Sequence, residues 1–298
     1  MTEPTQHADS LAAAAYSGGQ GEAFNFAHLL DHMKDGRSIE LPWGHVDLPQ
    51  FPPVTVGGLT LDLSPTKHVA FLVLAAILLF VWAVRSSRAY RKNPVPHGMR
   101  NVLETMVLFI RDEVALPNMG PSGVRYIPYL LTTFFFILIM NLLGLIPFGA
   151  TATGNIMVTA GLAVIAFLMI QLAAIRAQGV GRYLAHLTGG VHPILWPIMV
   201  PIEVLGLFTK PFALCIRLFA NMIGGHIVIL SLLGLIFLFR SIFVGIGSVA
   251  FTVAIMLLEI MVAFIQAYIF TMLTSLFMGL GILAGHSEAH AADGEHSH

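Results

Sequence analysis

Apolar residues fill five long stretches of this chain, and polar residues separate them. The first three stretches cover residues 68–84, 127–148 and 155–175, close to the roughly 20 residues that one helix needs to cross a bilayer. Strand-like alternation does not run through them. The pattern predicts an all-α polytopic membrane protein whose membrane domain covers residues 67–285.

The last two apolar stretches are twice as long as one crossing requires. They cover residues 192–239 and 241–284, which are 48 and 44 residues. No polar turn divides either stretch, so we expect two long, strongly tilted helices that form a hairpin around Arg240 and Ser241. Four prolines near the start of the first stretch can break or kink it there, namely Pro193, Pro197, Pro201 and Pro211.

Residues 98–116 are predicted to form one amphipathic helix at the membrane surface. Apolar residues recur there at helical spacing, while Glu104, Arg111 and Asp112 lie off the apolar stripe. An ordinary loop is the alternative.

Basic residues orient the predicted helices across the membrane. Five of them follow the first span between residues 85 and 100, and Arg176 and Arg182 follow the third. Basic loops stay in the cytoplasm, so these two segments are predicted to be inside. The acidic arm, residues 1–66, is then exterior, and the His-rich tail, residues 286–298, is cytoplasmic.

The composition limits the functions to consider. Hydrophobic residues make up 56% of the 298 residues and charged residues only 10%, against about 25% in soluble domains. A net charge of −1 argues against nucleic-acid binding. Between residues 126 and 285 there are seven charges, so each needs a reason: Arg176, Arg182, Glu203, Lys210, Arg217, Arg240 and Glu259.

Arg217 is the most informative of these charges. The nearest carboxylates along the chain are Glu203 and Glu259. A guanidinium stays protonated, and its transfer into hydrocarbon costs roughly 2.5–3.5 kcal/mol. We therefore expect its partner to come from another chain.

Small residues surround Arg217 on one side of its helix. Ala213, Ala220 and Gly224 lie at helical spacing from it, and Glu203 and Lys210 continue the stripe. Small residues let a second helix approach closely in a membrane. We favour a foreign helix that carries a carboxylate, and packing within the same chain is the alternative.

Polar residues of the two long helices fall at matched levels of the predicted hairpin. His226 matches Glu259, and Arg217 matches Gln266, although such matching can be accidental. His226 faces away from Arg217, whereas Glu259 and Gln266 share a face, so which side chains touch stays open. A lone intramembrane histidine can also be a hydrogen-bonded packing residue.

Chemistry separates these groups by role. His226 and Glu259 can titrate near physiological pH and relay protons, whereas Arg217 can only attract, repel or gate them. Asn141, Asn155 and Thr159 can line an aqueous path from outside, or they can be caps and helix–helix hydrogen bonds.

Three segments carry a resemblance to subunit a of the F-type ATP synthases. They are KPFALCIRLFANMIGGH at 210–226, NLLGLIP at 141–147 and EIMVAFIQAYIF at 259–270, and the resemblance covers roughly residues 65–285. It implies a proton-conducting stator subunit with two offset half-channels in a bacterial inner membrane. The implied partners are a ring of carboxylate-bearing c subunits, the b subunits of the peripheral stalk and the remaining F1Fo subunits.

The resemblance also implies residue roles. Arg217 is then the essential arginine that faces the c ring, with Asn221 and Gln266 at polar positions near it. His226 and Glu259 match a coupled pair, and Glu203 matches an acidic position of the inner half-channel. The implied subunit is a non-catalytic part of an enzyme complex, without a cofactor or a metal.

Two other classes of protein remain to be weighed. A proton-coupled secondary transporter predicts internal repeats and a midplane solute site, and no repeat is visible. An intramembrane metallohydrolase needs a motif such as His-Glu-x-x-His, which the sequence lacks.

Overall fold

The computed structural model describes residues 38–41, 44–47, 54–56, 59–61, 66–92, 98–146, 152–187, 193–239 and 241–295. These residues form two compact units. The smaller unit comprises residues 226–255, and the larger one contains the described residues before 226 and after 255.

Two short hairpins precede the first helix. Strands β1 (Ser38–Leu41) and β2 (Gly44–Asp47) pair antiparallel, and so do β3 (Val54–Val56) and β4 (Leu59–Leu61). They lie in the predicted exterior arm, for which the sequence analysis proposed no element. The strands are only three or four residues long, too short for their apolar alternation to stand out.

The membrane domain begins with a long helix and a surface helix. Helix α1 runs over Lys67–Lys92, and α2 covers Met99–Phe109. A π-helical turn at Ile110–Ala115 and the short α3 (Leu116–Met119) continue it, so the helix predicted over residues 98–116 forms.

Helices α4 and α5 are the next two spans. A 3₁₀ turn, Pro121–Tyr126, leads into α4 (Ile127–Gly144), and another, Ala152–Gly154, precedes α5 (Ile156–Gln178). A shorter helix, α6 (Val180–Leu187), follows a left-handed Gly179. Residues 147 and 148 of the predicted second span lie outside the described residues.

The two long helices form as single elements. Helix α7 covers Trp196–Phe239, 44 residues, and α8 covers Ile242–Glu295, 54 residues. At about 1.5 Å per residue each exceeds twice the roughly 30 Å of hydrocarbon, so the predicted steep tilt stays the simplest arrangement. The predicted turn agrees with these ends, since one helix stops at Phe239 and the next starts at Ile242.

Helix α4 is the centre of the hydrophobic core in the larger unit. Half of its most apolar window is buried, against 6% for α1. It is apolar on every side, which is the pattern of a helix surrounded by protein. Trp82 of α1 packs edge-on against Phe135 of α4, with ring centroids 5.0 Å apart.

The smaller unit consists of the end of α7 and the start of α8. Ser248 donates a hydrogen bond to the Leu232 carbonyl, and Gly245 lies close to Ile236. These contacts are antiparallel, as a hairpin requires.

The fold-class prediction is confirmed for the membrane domain, since the structure has five helices long and apolar enough to cross a membrane. Several bounds differ from the prediction. Helix α1 continues eight residues beyond 84, and α8 continues to Glu295 through part of the predicted tail. No proline directly follows either apolar stretch, and Gly285 does not stop α8.

The proline cluster does not break α7. Pro201 and Pro211 lie inside a continuous helix, Pro197 lies in its first turn, and Pro193 lies in the preceding 3₁₀ turn. A first-turn proline lacks only an N–H that would have no acceptor within the helix.

Candidate functional site

Helices α4, α7 and α8 line a small, partly open cavity in the larger unit, and a few polar groups lie among its apolar walls. The cavity has room for water but not for an organic solute. Its lining combines three carboxamides and one carboxylate with four apolar side chains, and the lining residues are Asn141, Leu218, Asn221, Met222, Glu259, Val262, Ala263 and Gln266.

Glu259 is the titratable group of the cavity. Its side chain is 7% exposed, and both carboxylate oxygens lack a hydrogen-bond partner among the described residues. A Cβ at Gly225 of α7 would overlap this carboxylate, so the glycine makes the space that Glu259 occupies. A buried carboxyl without a fixed partner is free to exchange a proton with water in the cavity.

Asn221 and Gln266 join α7 to α8 beside Glu259. The Asn221 amide nitrogen donates to Gln266 Oε1 at 2.8 Å. The Gln266 Nε2 group is buried without an acceptor in the described part of the chain. Glu259 and Gln266 therefore share one face of α8, as their spacing predicted. The hydrogen-bond partner of Gln266 on α7 is Asn221, which lies one turn after Arg217.

Asn141 continues the polar path toward the C-terminal end of α4. It accepts a hydrogen bond from Thr153 Oγ1 at 3.0 Å, and its Nδ2 lies 3.5 Å from the Ala263 carbonyl. Thr153 is fully buried. A hydroxyl, an amide and the Glu259 cavity thus follow one another inward from the 3₁₀ turn before α5.

Arg217 lies on α7, one turn before the cavity-lining Asn221, and is half-buried. Its Nη1 atom is buried and has no hydrogen-bond partner among the described residues. The five donors of a guanidinium are costly to leave unsatisfied away from water. The Nη1 donor is therefore left unsatisfied by the described residues.

The stripe of small residues around Arg217 is open. Ala213 and Ala220 are exposed, and a Cβ at Gly224 would meet nothing within 4 Å. Lys210 on the same stripe has its ammonium 4.8 Å from the centroid of Phe277, a cation–π contact. No described helix of this chain covers the stripe at the two alanines.

Glu203 lies two turns before Lys210, near the polar end of α6. Tyr183 donates a hydrogen bond to Gln171 Oε1. Burial raises the pKa of Tyr183, and the negative charge of Glu203 raises it further, so the phenol stays a donor at neutral pH. The structure thus gives Glu203 polar neighbours that the sequence analysis did not name.

Asn155 and Thr159 form a helix cap and a helix–helix contact, which was the second of the two alternatives for these residues. Asn155 caps α5 by accepting a hydrogen bond from the Met157 amide at 2.9 Å. Thr159 donates to the Ile156 carbonyl at 3.1 Å and contacts the buried Cys215 sulfur at 3.4 Å. Neither residue lines the cavity.

His226 is half-buried and belongs to the smaller unit. Its predicted pairing with Glu259 stays a prediction. Among the described residues there is no group of three His, Cys, Asp or Glu side chains that could hold a metal ion.

Sequence reasoning missed Gly225 and Thr153. A glycine pair at 224–225 gives no sign of which member faces a partner helix, and a threonine in the uncharged segment GATATG resembles any loop residue. The hydrogen bond between Thr153 and Asn141 spans 12 residues and depends on how the loop folds back over α4.

The fold and the cavity together define a class of protein. This is a multi-pass membrane protein with a water-sized cavity between its helices, a buried acid in that cavity, and a half-buried permanent cation one turn away along α7. The arrangement suits ion movement within the membrane rather than chemistry on an organic substrate.

Comparison with known proteins identifies the family within this class. The family model described as "ATP synthase A chain" matches residues 68–279, close to the range of the resemblance. The chain belongs to the ATP synthase A chain family.

Several relatives extend the similarity over most of the chain. "ATP synthase subunit a" of Chloroherpeton thalassium is 51% identical over 273 residues, covering 90% of this chain and 79% of the relative. The protein of the same name from Myxococcus xanthus is 56% identical over 244 residues, covering 80% and 78%. That from Pelodictyon phaeoclathratiforme is 50% identical over 304 residues, covering 99% and 86%.

Proposed function

We propose that this chain is the proton-conducting stator subunit in the membrane sector of an F-type ATP synthase. Arg217 carries the proposal, because its buried Nη1 atom has no acceptor among the described residues and it lies on an open stripe of small residues. The acceptor is then the carboxylate of a c subunit, carried past Arg217 as the ring turns. The proposal rests also on membership in the ATP synthase A chain family.

The outer half-channel runs through the polar groups that lead to the cavity. Water reaches Thr153 and Asn141 from the outer end of α4, and Glu259 accepts or releases the proton in the cavity. Asn221 and Gln266 hold the two long helices together there, and the free Gln266 Nε2 group orients water. His226 is proposed to act with Glu259, as the family resemblance implies.

The inner half-channel lies near Glu203. The Tyr183–Gln171 pair beside it supplies further polar groups at that end of the membrane domain. The two half-channels are offset, so a proton passes from one to the other only on the ring. Arg217 blocks the direct route because a permanent cation repels protons and hydronium.

Rotation follows from the energetics of burying a carboxyl group. A protonated c-subunit carboxyl can enter lipid, whereas the ionised form cannot. The ring therefore carries neutral carboxyls through lipid and ionised ones only past Arg217. Each proton that crosses supplies about 2.3 kcal/mol per 100 mV of membrane potential.

The proposed partners are the c ring, the b subunits of the peripheral stalk and the other F1Fo subunits. We place the N-terminal arm outside and the C-terminus in the cytoplasm of a bacterial inner membrane, because basic residues follow the first and third spans. The chain itself holds no catalytic site in this proposal. The coupling ion is the proton, which the titratable Glu259 favours.

A secondary transporter is the second candidate function, and Glu259 and His226 would serve it as a proton relay. The cavity at Glu259 does not favour it, because that cavity has room for water but not for a solute.

Substitution of Arg217 tests the proposal. In inverted membrane vesicles that contain the whole complex, Arg217→Ala is expected to abolish ATP-driven proton pumping, measured by quenching of a pH-sensitive dye. Passive proton leak through the membrane sector is expected to persist or rise, because the barrier between the half-channels is lost. Arg217→Lys is expected to fail too, because a lysine deprotonates more readily and lacks the forked donor geometry.

Arg176→Ala provides the matched control, since Arg176 is exposed at the end of α5. It is expected to pump at the rate of the unmodified complex. ATP-driven proton pumping that persists in the Arg217→Ala complex would refute the proposal.

A further inference from the structure

Helix α1 has one face that packs against its own chain and one that does not. Ala75 is fully buried, and Phe71, Leu79 and Trp82 on the same side pack against the core. Near the C-terminal end of α1, Tyr90 extends this packed face, because its hydroxyl donates to Glu104 of α2 at 2.7 Å. The packed face therefore runs along the whole helix.

The opposite face of α1 changes from apolar to basic along its length. Val73, Ile77, Val81, Arg85 and Arg88 follow at steps of four, four, four and three residues, which is one side of a helix. All five are exposed on this chain. Arg91, three residues on, is also exposed and extends the basic end of this side.

None of the three arginines has an ion-pair partner among the described residues. Helix α1 is 26 residues long, or about 39 Å at 1.5 Å per residue, which exceeds the roughly 30 Å hydrocarbon core. Its last turns therefore reach the headgroup region on the side that basic residues mark as cytoplasmic.

We infer that Arg85, Arg88 and Arg91 form a binding surface for anionic phospholipid headgroups of the inner leaflet. Guanidinium groups bind phosphate oxygens in bidentate pairs, and a row of them supplies such donors at headgroup depth. Basic clusters directly cytoplasmic of a membrane helix attract anionic lipids with about 1 kcal/mol per residue.

The apolar half of the same face favours a lipid molecule over a helix of another subunit as the ligand. Ile77 and Phe80 are 53% and 69% exposed, so hydrocarbon tails cover the stretch directly outward of the arginines. One lipid molecule can then satisfy both halves, with its acyl chains on the apolar side chains and its phosphate on the guanidinium groups. A helix of another subunit would need acidic residues at this one depth to do the same.

The surface helix α2 strengthens this assignment. The Tyr90–Glu104 hydrogen bond ties α2 to the far side of α1, so the arginines are left facing outward. Val102 and Phe109 of α2 are exposed at 54% and 44%, as expected for a helix that lies in the interface. Two neighbouring elements thus meet the inner leaflet together.

The test is lipid binding to the purified full-length chain in nanodiscs of phosphatidylglycerol and phosphatidylcholine. Native mass spectrometry gives the ratio of the two lipids that stay bound. The triple variant Arg85→Gln, Arg88→Gln, Arg91→Gln is expected to lower phosphatidylglycerol enrichment at least about fivefold, given about 1 kcal/mol per basic residue. The Arg→Lys triple variant is expected to keep most of it, because the charges remain.

The matched control removes three other exposed arginines, Arg111, Arg125 and Arg176, and so has the same net charge. An equal loss of enrichment in this control would overturn the inference, since the effect would be one of total charge. Displacement of the bound lipid by millimolar inorganic phosphate would overturn it too, by assigning the site to a free anion. So would unchanged lipid binding with loss of a co-purifying polypeptide from the variant complex.

The unmodified chain supplies a second measurement in case the Gln variant does not fold. Its phosphatidylglycerol enrichment is expected to fall as salt rises, while phosphatidylcholine binding stays constant. Salt-independent enrichment would contradict the inference.

Discussion

Glu259 owes its position to the missing side chain of Gly225. A carboxylate as close to a helix backbone as this one is possible only where no Cβ stands in the way, and at Gly225 the Cβ would overlap the Glu259 carboxylate. The neighbouring Gly224 faces open space on this chain. Two adjacent glycines therefore have different tasks, one inside the chain and one on its surface.

Alanine at each glycine separates these tasks. In the isolated chain, Gly225→Ala is expected to lower the free energy of unfolding by about 1–3 kcal/mol, because the added methyl group displaces the Glu259 side chain. Gly224→Ala is expected to be neutral or slightly stabilising, because alanine favours a helix and nothing lies within 4 Å of the new atom. Thermal unfolding in detergent measures both. Equal midpoints would contradict the role assigned to Gly225.

The sequence predicted single residues unevenly. Arg217 could be found because a permanent charge in an apolar run is expensive wherever it points. The Asn221–Gln266 hydrogen bond could not, because it joins residues 45 positions apart and depends on how α7 and α8 are rotated about their axes. Spacing gave the shared face of Glu259 and Gln266, but not the residues opposite that face.

Among the elements, α8 is held most tightly where it passes the surface helix and α5. Ser275 and Asn118 both donate to the Val114 carbonyl, at 3.1 Å and 2.7 Å, within the π-helical turn. On the other side, Gln178 donates to the Gly281 carbonyl at 2.7 Å. The π turn leaves a carbonyl that accepts side-chain donors, which anchors α8 against the α2–α3 segment.

Two glycines of α8, Gly279 and Gly281, allow this close packing, and a Cβ at Gly281 would overlap Ala174 of α5. A Cβ at Gly279 would overlap the Asn118 backbone, so Gly279→Ala is expected to destabilise the isolated chain by about 1–3 kcal/mol. Gly247→Ala, in open space on the same helix, is the control and is expected to be neutral or stabilising. Thermal unfolding in detergent again gives both values. A Gly279 variant as stable as the control would show that the close approach does not matter.

The hydropathy of the sequence indicates which segments form helices, but not the residues at which those helices end. All five predicted spans form helices, because buried or lipid-covered backbone must satisfy its own hydrogen bonds. Helices α1 and α8 continue past the predicted spans, since an apolar stretch marks membrane depth and a helix can continue into water. The π turn at Ile110–Ala115 had no signal in the apolar spacing.

At the scale of the whole molecule, the stripe around Arg217 is the surface where we propose that another subunit binds. Ala213 and Ala220 are exposed, and the guanidinium between them has a buried nitrogen without a partner among the described residues. Exposure alone would suit lipid, but lipid tails offer no acceptor to an arginine. A helix with a carboxylate satisfies both the small residues and the charge.

Cysteine crosslinking tests this surface in the assembled complex. The only native cysteine is Cys215, which is buried, so a Cys215→Ser background leaves one introduced thiol. Ala220→Cys is expected to form a crosslink with a cysteine placed one turn from the c-subunit carboxylate. Val164→Cys, exposed on α5, is the control and is expected to form none. Crosslinking at Val164 and not at Ala220 would place the ring elsewhere.

The sequence alone determined that this chain crosses a membrane with helices, roughly where they run, and which charge demands a partner. Those properties depend on the local cost of placing backbone and charge in hydrocarbon, which each segment carries by itself. Only the tertiary structure decided that Asn141, Asn221, Glu259 and Gln266 share one cavity, and that Asn155 and Thr159 do not line it. Those properties depend on the rotation of each helix about its axis, which is set by packing between residues far apart in the chain.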